Sequence, residues 1–238
     1  MSNIDIFIWE FLGTTILCLL GNGSVAAVVL KNSYSHGTGG DWIIIVLGWG
    51  FGVFAGASVA APPSGAHINP AVSLALAISG GIPWSSLPVY WAAQMLGGIV
   101  GASLCWVAFK LQFDNMDDNS GTRGIFCTTP FVKGLPWNVA TEVIATFVLV
   151  FFILTNPQAN GGALSYGAVT FVVITIGFGL GGPTATPSTQ LAIWDRGSRT
   201  GSCPSRARPA PDWSYSWVPV FGPLLGTALA AGLGLLVM

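Results

Sequence analysis

Between two long apolar runs the chain reads Pro62-Pro63-Ser64-Gly65-Ala66-His67-Ile68-Asn69-Pro70-Ala71, and the reading of this stretch decides the fold. The paired prolines and the glycine are expected to break a helix. Val72 to Ser79 then follows, apolar but far shorter than the ~20 residues a membrane-crossing helix needs. A piece that neither crosses nor stays in water has to re-enter the membrane. Its first part is expected to run extended with exposed carbonyls, which is tolerated at membrane depth only along a water-filled path. Asn69 suits the cap of the short helix, and Pro70 suits its first turn, where a missing N–H costs nothing.

The flanking sequence places this segment in lipid. There is no Asp, Glu, Lys or Arg from Trp42 through Phe109, nor from Val143 through Trp194. Over all 238 residues, 52% are hydrophobic and 7% charged, with a mean hydropathy of +0.69, against roughly 25% charged in an ordinary soluble domain. A soluble globule is excluded. Apolar runs able to span are Ile6 to Leu30, Trp42 to Ala61, Leu87 to Leu111, Asn138 to Thr155, Tyr166 to Gly182 and Trp217 to Met238. Several tryptophans, among them Trp42, Trp84, Trp137 and Trp217, stand at run ends where an interfacial belt belongs. The first run lacks the basic start and small-residue cleavage site of a secretory signal, so it is expected to be retained.

A net charge of −1 provides no basic face for nucleic acid. Cys18, Cys105, Cys127 and Cys203 are too scattered for a disulfide framework or a metal site, and no cofactor is expected. An enzyme would need a nucleophile with its base, and the two histidines, His36 and His67, offer little for that.

The chain also repeats. Glu10-Phe11-Leu12-Gly13-Thr14 opens one half and Glu142-Val143-Ile144-Ala145-Thr146 the other. Three spans per half make the second half inverted in the bilayer, an arrangement that places a binding path at the repeat interface. The expected organisation is a first repeat over 1–112, a connecting loop over 113–136 and a second repeat over 137–238. A second broken half-helix should follow Gly182.

The stretch SGAHINPAVSLA, together with the repeat, the paired glutamates, Gly48-Trp49-Gly50 and Val218-Pro219-Val220-Phe221-Gly222-Pro223, resembles the aquaporin or major intrinsic protein family, most nearly its bacterial glycerol facilitators. The chain departs from the family pattern in one place. Where a second Asn-Pro-Ala followed by Arg belongs, it carries Thr189, Gln190, Leu191 and Ala192. Residues 185–211 also hold four of the eight Lys and Arg residues, Arg196, Arg199, Arg206 and Arg208. An arginine at the bilayer midplane costs roughly 2.5–3.5 kcal/mol on insertion scales. Back-translation of the segment beginning at Ala185, read one nucleotide out of phase, permits GYALNPARDLGP. This points to a one-base deletion near Thr184 and a compensating insertion near Pro211.

The resemblance implies an all-α membrane protein with six transmembrane helices and two re-entrant half-helices, the second disrupted as written. It implies a passive channel for glycerol and small neutral solutes, with some water, rather than an enzyme. A water-selective channel and a non-functional frameshifted product are the alternatives. A secondary transporter is a further one, although no coupling carboxylate is visible beyond the two paired glutamates. Gly65, Ala66 and His67 would present backbone carbonyls to solute, and Asn69, Pro70 and Ala71 would form the midplane motif. Trp49 would be the aromatic wall of the narrowest ring and Gly177 its fifth-span position, while Thr186 and Ala192 would fill the remaining two. Glu10 and Glu142 would brace the re-entrant loops by accepting backbone N–H bonds. A homotetramer in the lipid bilayer of the plasma membrane, with cytoplasmic termini, completes the expectation.

Overall fold

The computed structural model describes residues 2–117, 119–127, 130, 132–156, 163–180 and 214–237. Regular structure among them is helical: α1 Asn3–Val29, α2 Asp41–Ser64, α3 Pro70–Ile78, α4 Leu87–Ala108, α5 Lys110–Asp114, α6 Arg123–Phe126, α7 Leu135–Thr155, α8 Ala163–Leu180 and α9 Val218–Val237. Five stretches are long and apolar enough to cross a bilayer, namely α1, α2, α4 with the 3-10 turn Trp84–Ser86 before it, α7 and α9. Helix α8 has 18 residues, about 27 Å of rise against a ~30 Å hydrocarbon core. Its apolar part, Tyr166–Leu180, is shorter than the other five spans.

Side chains are distributed inside out. Phe51, Phe171, Phe221 and Leu236 are exposed, whereas Glu10, Gln94, Asn138 and Glu142 are buried. In water this would be ruinous. In lipid the exposed apolar surface meets like surroundings, and the polar groups gather where protein can satisfy them.

The two halves use the same contacts. Helix α1 packs on α2 and α4, and α7 packs on α8 and α9. Across the halves, α2 meets α8, and the short α3 lies against α7 and α9. Gly97 of α4 faces the Phe11 carbonyl and Thr14 Cβ, while Gly226 of α9 faces the Val143 carbonyl and Thr146 Cβ. Phe11 and Thr14 follow Glu10 by one and four residues, as Val143 and Thr146 follow Glu142. The repeat seen in the sequence is thus also a repeat in packing.

Two local expectations are corrected. Pro62 and Pro63 do not break α2, which continues to Ser64. They stand in its last turn and cost it the bonds to the Ser58 and Val59 carbonyls, yet the true stop is Gly65 at φ 85°. The residues beyond are not uniformly extended, since Ala66 at φ 52° and Ile68 at φ 40° have left-handed backbone.

Candidate functional site

Asn69 caps α3 from extended backbone, its Oδ1 accepting from Ala71 N at 2.9 Å, with Pro70 in the first turn as expected. The four residues between α2 and this cap form a strained link. Positive φ is unusual for alanine and costly for a β-branched residue, on the order of 1–3 kcal/mol each. Such a link persists only where its surroundings over-determine it.

Glu10 supplies much of that determination. From the interior of α1, its Oε1 accepts from Ser64 Oγ at 2.8 Å and His67 N at 2.9 Å. Its Oε2 accepts from Ile68 N at 2.7 Å and from Gln94 Nε2 of α4 at 2.8 Å. Ala66 N donates to Ser64 Oγ at 3.2 Å. One fully buried carboxyl group, with the serine beside it, therefore gathers the three consecutive backbone N–H groups of the link.

The second face of the link is held by α4. The His67 ring stacks on Tyr90 with centroids 4.1 Å apart, and His67 Nδ1 lies 3.1 Å from Ser73 Oγ. Tyr90 OH donates to the Ser64 carbonyl at 2.8 Å, and Gln94 Nε2 also reaches Ser73 Oγ at 2.9 Å. Helix α3 itself is tied down twice, by Trp91 Nε1 to the Pro70 carbonyl at 3.1 Å and by Thr227 Oγ1 of α9 to the Ala71 carbonyl at 3.4 Å. Three long helices, α4, α7 and α9, thus pack on one short one.

Accessibility along the link is selective. The His67 and Ile68 side chains are buried, while Gly65, Ala66, Asn69 and Pro70 keep accessible surface. The groups left open are backbone, small side chains and one amide.

The structure brings Gly65, Ala66, His67, Asn69, Pro70 and Ala71 together with Glu10. Trp49 and Gly177 stand in helix contacts, and Trp49 packs against the apolar cluster that also holds Ile68 of the link. The Trp49 ring covers Gly21 of α1, where an added Cβ would lie 2.3 Å from the indole. Gly177 of α8 is buried on Val46 of α2, and its carbonyl accepts from Trp42 Nε1 at 3.2 Å. Glu142 is buried in α7, with its Cβ facing Gly222 of α9. Thr186, Thr189 to Ala192 and the whole of 185–211 lie outside the described residues.

Ser64, Ser73, Tyr90 and Gln94 were not singled out by sequence. A signal existed for Gln94, which is a long polar side chain inside a charge-free span. No comparable signal marks the other three.

These features define a helical membrane protein built around a braced re-entrant half-helix, and comparison with known proteins gives its family. The family model described as major intrinsic protein matches residues 1–233. A probable glycerol uptake facilitator protein of Thermotoga maritima is 41% identical over 233 residues, covering 97% of this chain and 98% of the relative. Glycerol uptake facilitator protein 3 of Lactiplantibacillus plantarum is 42% identical over 226 residues, covering 93% and 92%. The X-ray structure of the aquaglyceroporin from Plasmodium falciparum superposes with a TM-score of 0.80 at 29% identity, over 97% of this chain and 95% of that one. The chain belongs to the major intrinsic protein family, whose glycerol facilitators are membrane channels and not enzymes.

Proposed function

We propose that the protein is a passive channel for glycerol and similar small neutral solutes, with some water. The observation that carries this reading is the state of Asn69. Its Oδ1 is engaged by Ala71 N–H, which turns the Nδ2 donors away from the helix and leaves them for a solute hydroxyl. Gly65 and Ala66 keep accessible surface just before it, so a polyol can exchange hydrogen bonds with backbone carbonyls and then with the amide. The stretch from Trp42 through Phe109 contains no ionisable Asp, Glu, Lys or Arg, and the N-terminus of α3 carries partial positive charge. Neutral solutes pass and cations meet a barrier. The names of the relatives, glycerol uptake facilitators and an aquaglyceroporin, support the same reading.

In this reading His67 contributes its backbone, Pro70 and Ala71 complete the midplane motif, and Trp49 with Gly177 sets solute width. Glu10 and Glu142 are structural, the former through the bonds described above. The two repeats, 1–112 and 137–238, flank a connecting loop over 113–136. Assembly as a homotetramer in the plasma membrane, with both termini cytoplasmic, goes with the family resemblance.

The chain as written has no second Asn-Pro-Ala, so its own conduction is expected to be low. Stopped-flow light scattering on proteoliposomes tests both points, comparing the chain as written with a variant carrying the shifted reading over 185–211. Glycerol flux is expected from the variant and little from the chain as written. A variant that passes no glycerol overturns the channel reading, and robust flux from the chain as written overturns the impairment. Sequencing the DNA from the codon of Thr184 to that of Asp212 decides whether the shift is an error of reading.

A further inference from the structure

We infer that Tyr90 is a positioning residue for the proposed conduction path, locking the peptide plane between Ser64 and Gly65 and, through His67, the carbonyl-bearing link that follows. The inference rests on the channel reading for its functional consequence and on geometry alone for its structural one.

Gly65 stands at φ 85°, and a glycine there turns its flanking peptides with little steric resistance. Glu10 and Ser64 Oγ hold the N–H groups of Ala66, His67 and Ile68. The peptide between Ser64 and Gly65 is held on its N–H side by the last bond of α2, from Gly65 N to the Ala61 carbonyl at 3.0 Å. That peptide is fixed from the other side, where Tyr90 OH donates to the Ser64 carbonyl at 2.8 Å. The same ring stacks on His67 with centroids 4.1 Å apart and planes inclined by 8°. Tyr90 is 2% exposed and His67 5%, so the clamp is closed on both faces.

Tyr90 therefore grips the link at two points three residues apart, one through its hydroxyl and one through its ring. Between them lies Ala66 at φ 52°, one of the accessible positions. A turn of the peptide between Ser64 and Gly65 gives up the last bond of α2, from Gly65 N to the Ala61 carbonyl, and reorients the carbonyls that solute is proposed to meet, leaving α1, α4 and the rest of α2 intact.

Two variants separate the grips. Tyr90→Phe removes the hydroxyl and keeps the stack, whereas Tyr90→Leu removes both. In the full chain as written, hydrogen–deuterium exchange of the Ala66, His67 and Ile68 amides is expected to rise at least tenfold in Tyr90→Leu and by less in Tyr90→Phe. Exchange in α1 and α7 should hold, while the melting temperature falls by a few degrees for the lost bond and packing at a fully buried side chain. Unchanged protection of those three amides in both variants overturns the inference, and so does a uniform rise across all helices, which would mark Tyr90 as general packing. In whichever form of the protein passes glycerol, the glycerol-to-water permeability ratio is expected to shift at least threefold in Tyr90→Leu and by less in Tyr90→Phe, which keeps the stack but not the hydroxyl. An unmoved ratio overturns the functional consequence. If no form passes glycerol, the channel reading has failed by itself, and the exchange measurement still decides the positioning.

Discussion

Gly226 of α9 rests on the Val143 carbonyl of α7 so closely that a Cβ there would lie 2.4 Å from the oxygen. The same relation joins Gly97 of α4 to the Phe11 carbonyl of α1, at 2.5 Å. Without a hydrophobic drive between helices in lipid, such close backbone approach is what holds neighbours together. Alanine at either site has to push backbone from backbone, which costs about 1–3 kcal/mol in a well-packed interior. Gly226→Ala and Gly97→Ala should both lower the melting temperature in detergent. Gly232→Ala, with open space around the added methyl, should be neutral or raise stability by about 0.5–1 kcal/mol through helix propensity. Equal effects at all three sites would contradict the packing account.

Glu10 offers a harsher test, because four donors share its two oxygens. Glu10→Gln keeps the size but sets an NH2 group where one oxygen was, against either the Ser64 and His67 donors or the Ile68 and Gln94 donors. Each buried donor left unmatched costs about 1–3 kcal/mol. The expected result is a melting point several degrees lower, by roughly 2–4 °C per kcal/mol for a chain of this size. Glu10→Ala should unfold the link entirely. A Glu10→Gln protein as stable as its parent would show that the carboxylate is dispensable.

How much of this was legible in the sequence depends on how local the cause is. The cap at Asn69 and the proline after it obey rules of a few residues, and the structure repeats them. Glu10 was legible because a carboxyl group in a charge-free span demands a reason, and its symmetry with Glu142 pointed toward support of a loop. Tyr90, Gln94 and Ser73 are brought to the link only by the packing of α4 and α3, which no local pattern encodes. The positive φ values at Ala66 and Ile68 left no trace either, since neither side chain favours them. The prolines misled for a related reason. Their penalty, two helical bonds to the Ser58 and Val59 carbonyls, falls on the turn before them, and the packing of α2 on α1 overrides it.

Asn22 is a cost with no visible return. It is 1% exposed in α1, and neither its Oδ1 nor its Nδ2 has a hydrogen-bond partner among the described residues. Burying an unpaired amide costs about 1–3 kcal/mol on mutational scales. Asn22→Leu, similar in volume, is therefore expected to raise the melting temperature. A fall would mean that an ordered water satisfies the amide, and Asn22→Asp would then be tolerated better than leucine.

Gly177 separates two meanings of a missing side chain. The proposed reading lets its bareness widen the solute path. In the structure an added Cβ would lie 2.7 Å from Cγ1 of Val46, a side chain that is 4% exposed. Gly177→Ala should therefore destabilise by about 1–2 kcal/mol through overpacking, and Val46→Ala by a similar amount through the cavity it leaves. In the double variant the new methyl occupies the vacated space, so the two costs should cancel in part, with a coupling of about 0.5–2 kcal/mol. Purely additive losses would mean that the two residues do not share that space. Permeability then assigns the role. If Gly177 serves only the contact between α2 and α8, the repacked double variant keeps the parent's glycerol-to-water ratio. If its bare face borders the path, the ratio falls even though stability has been restored.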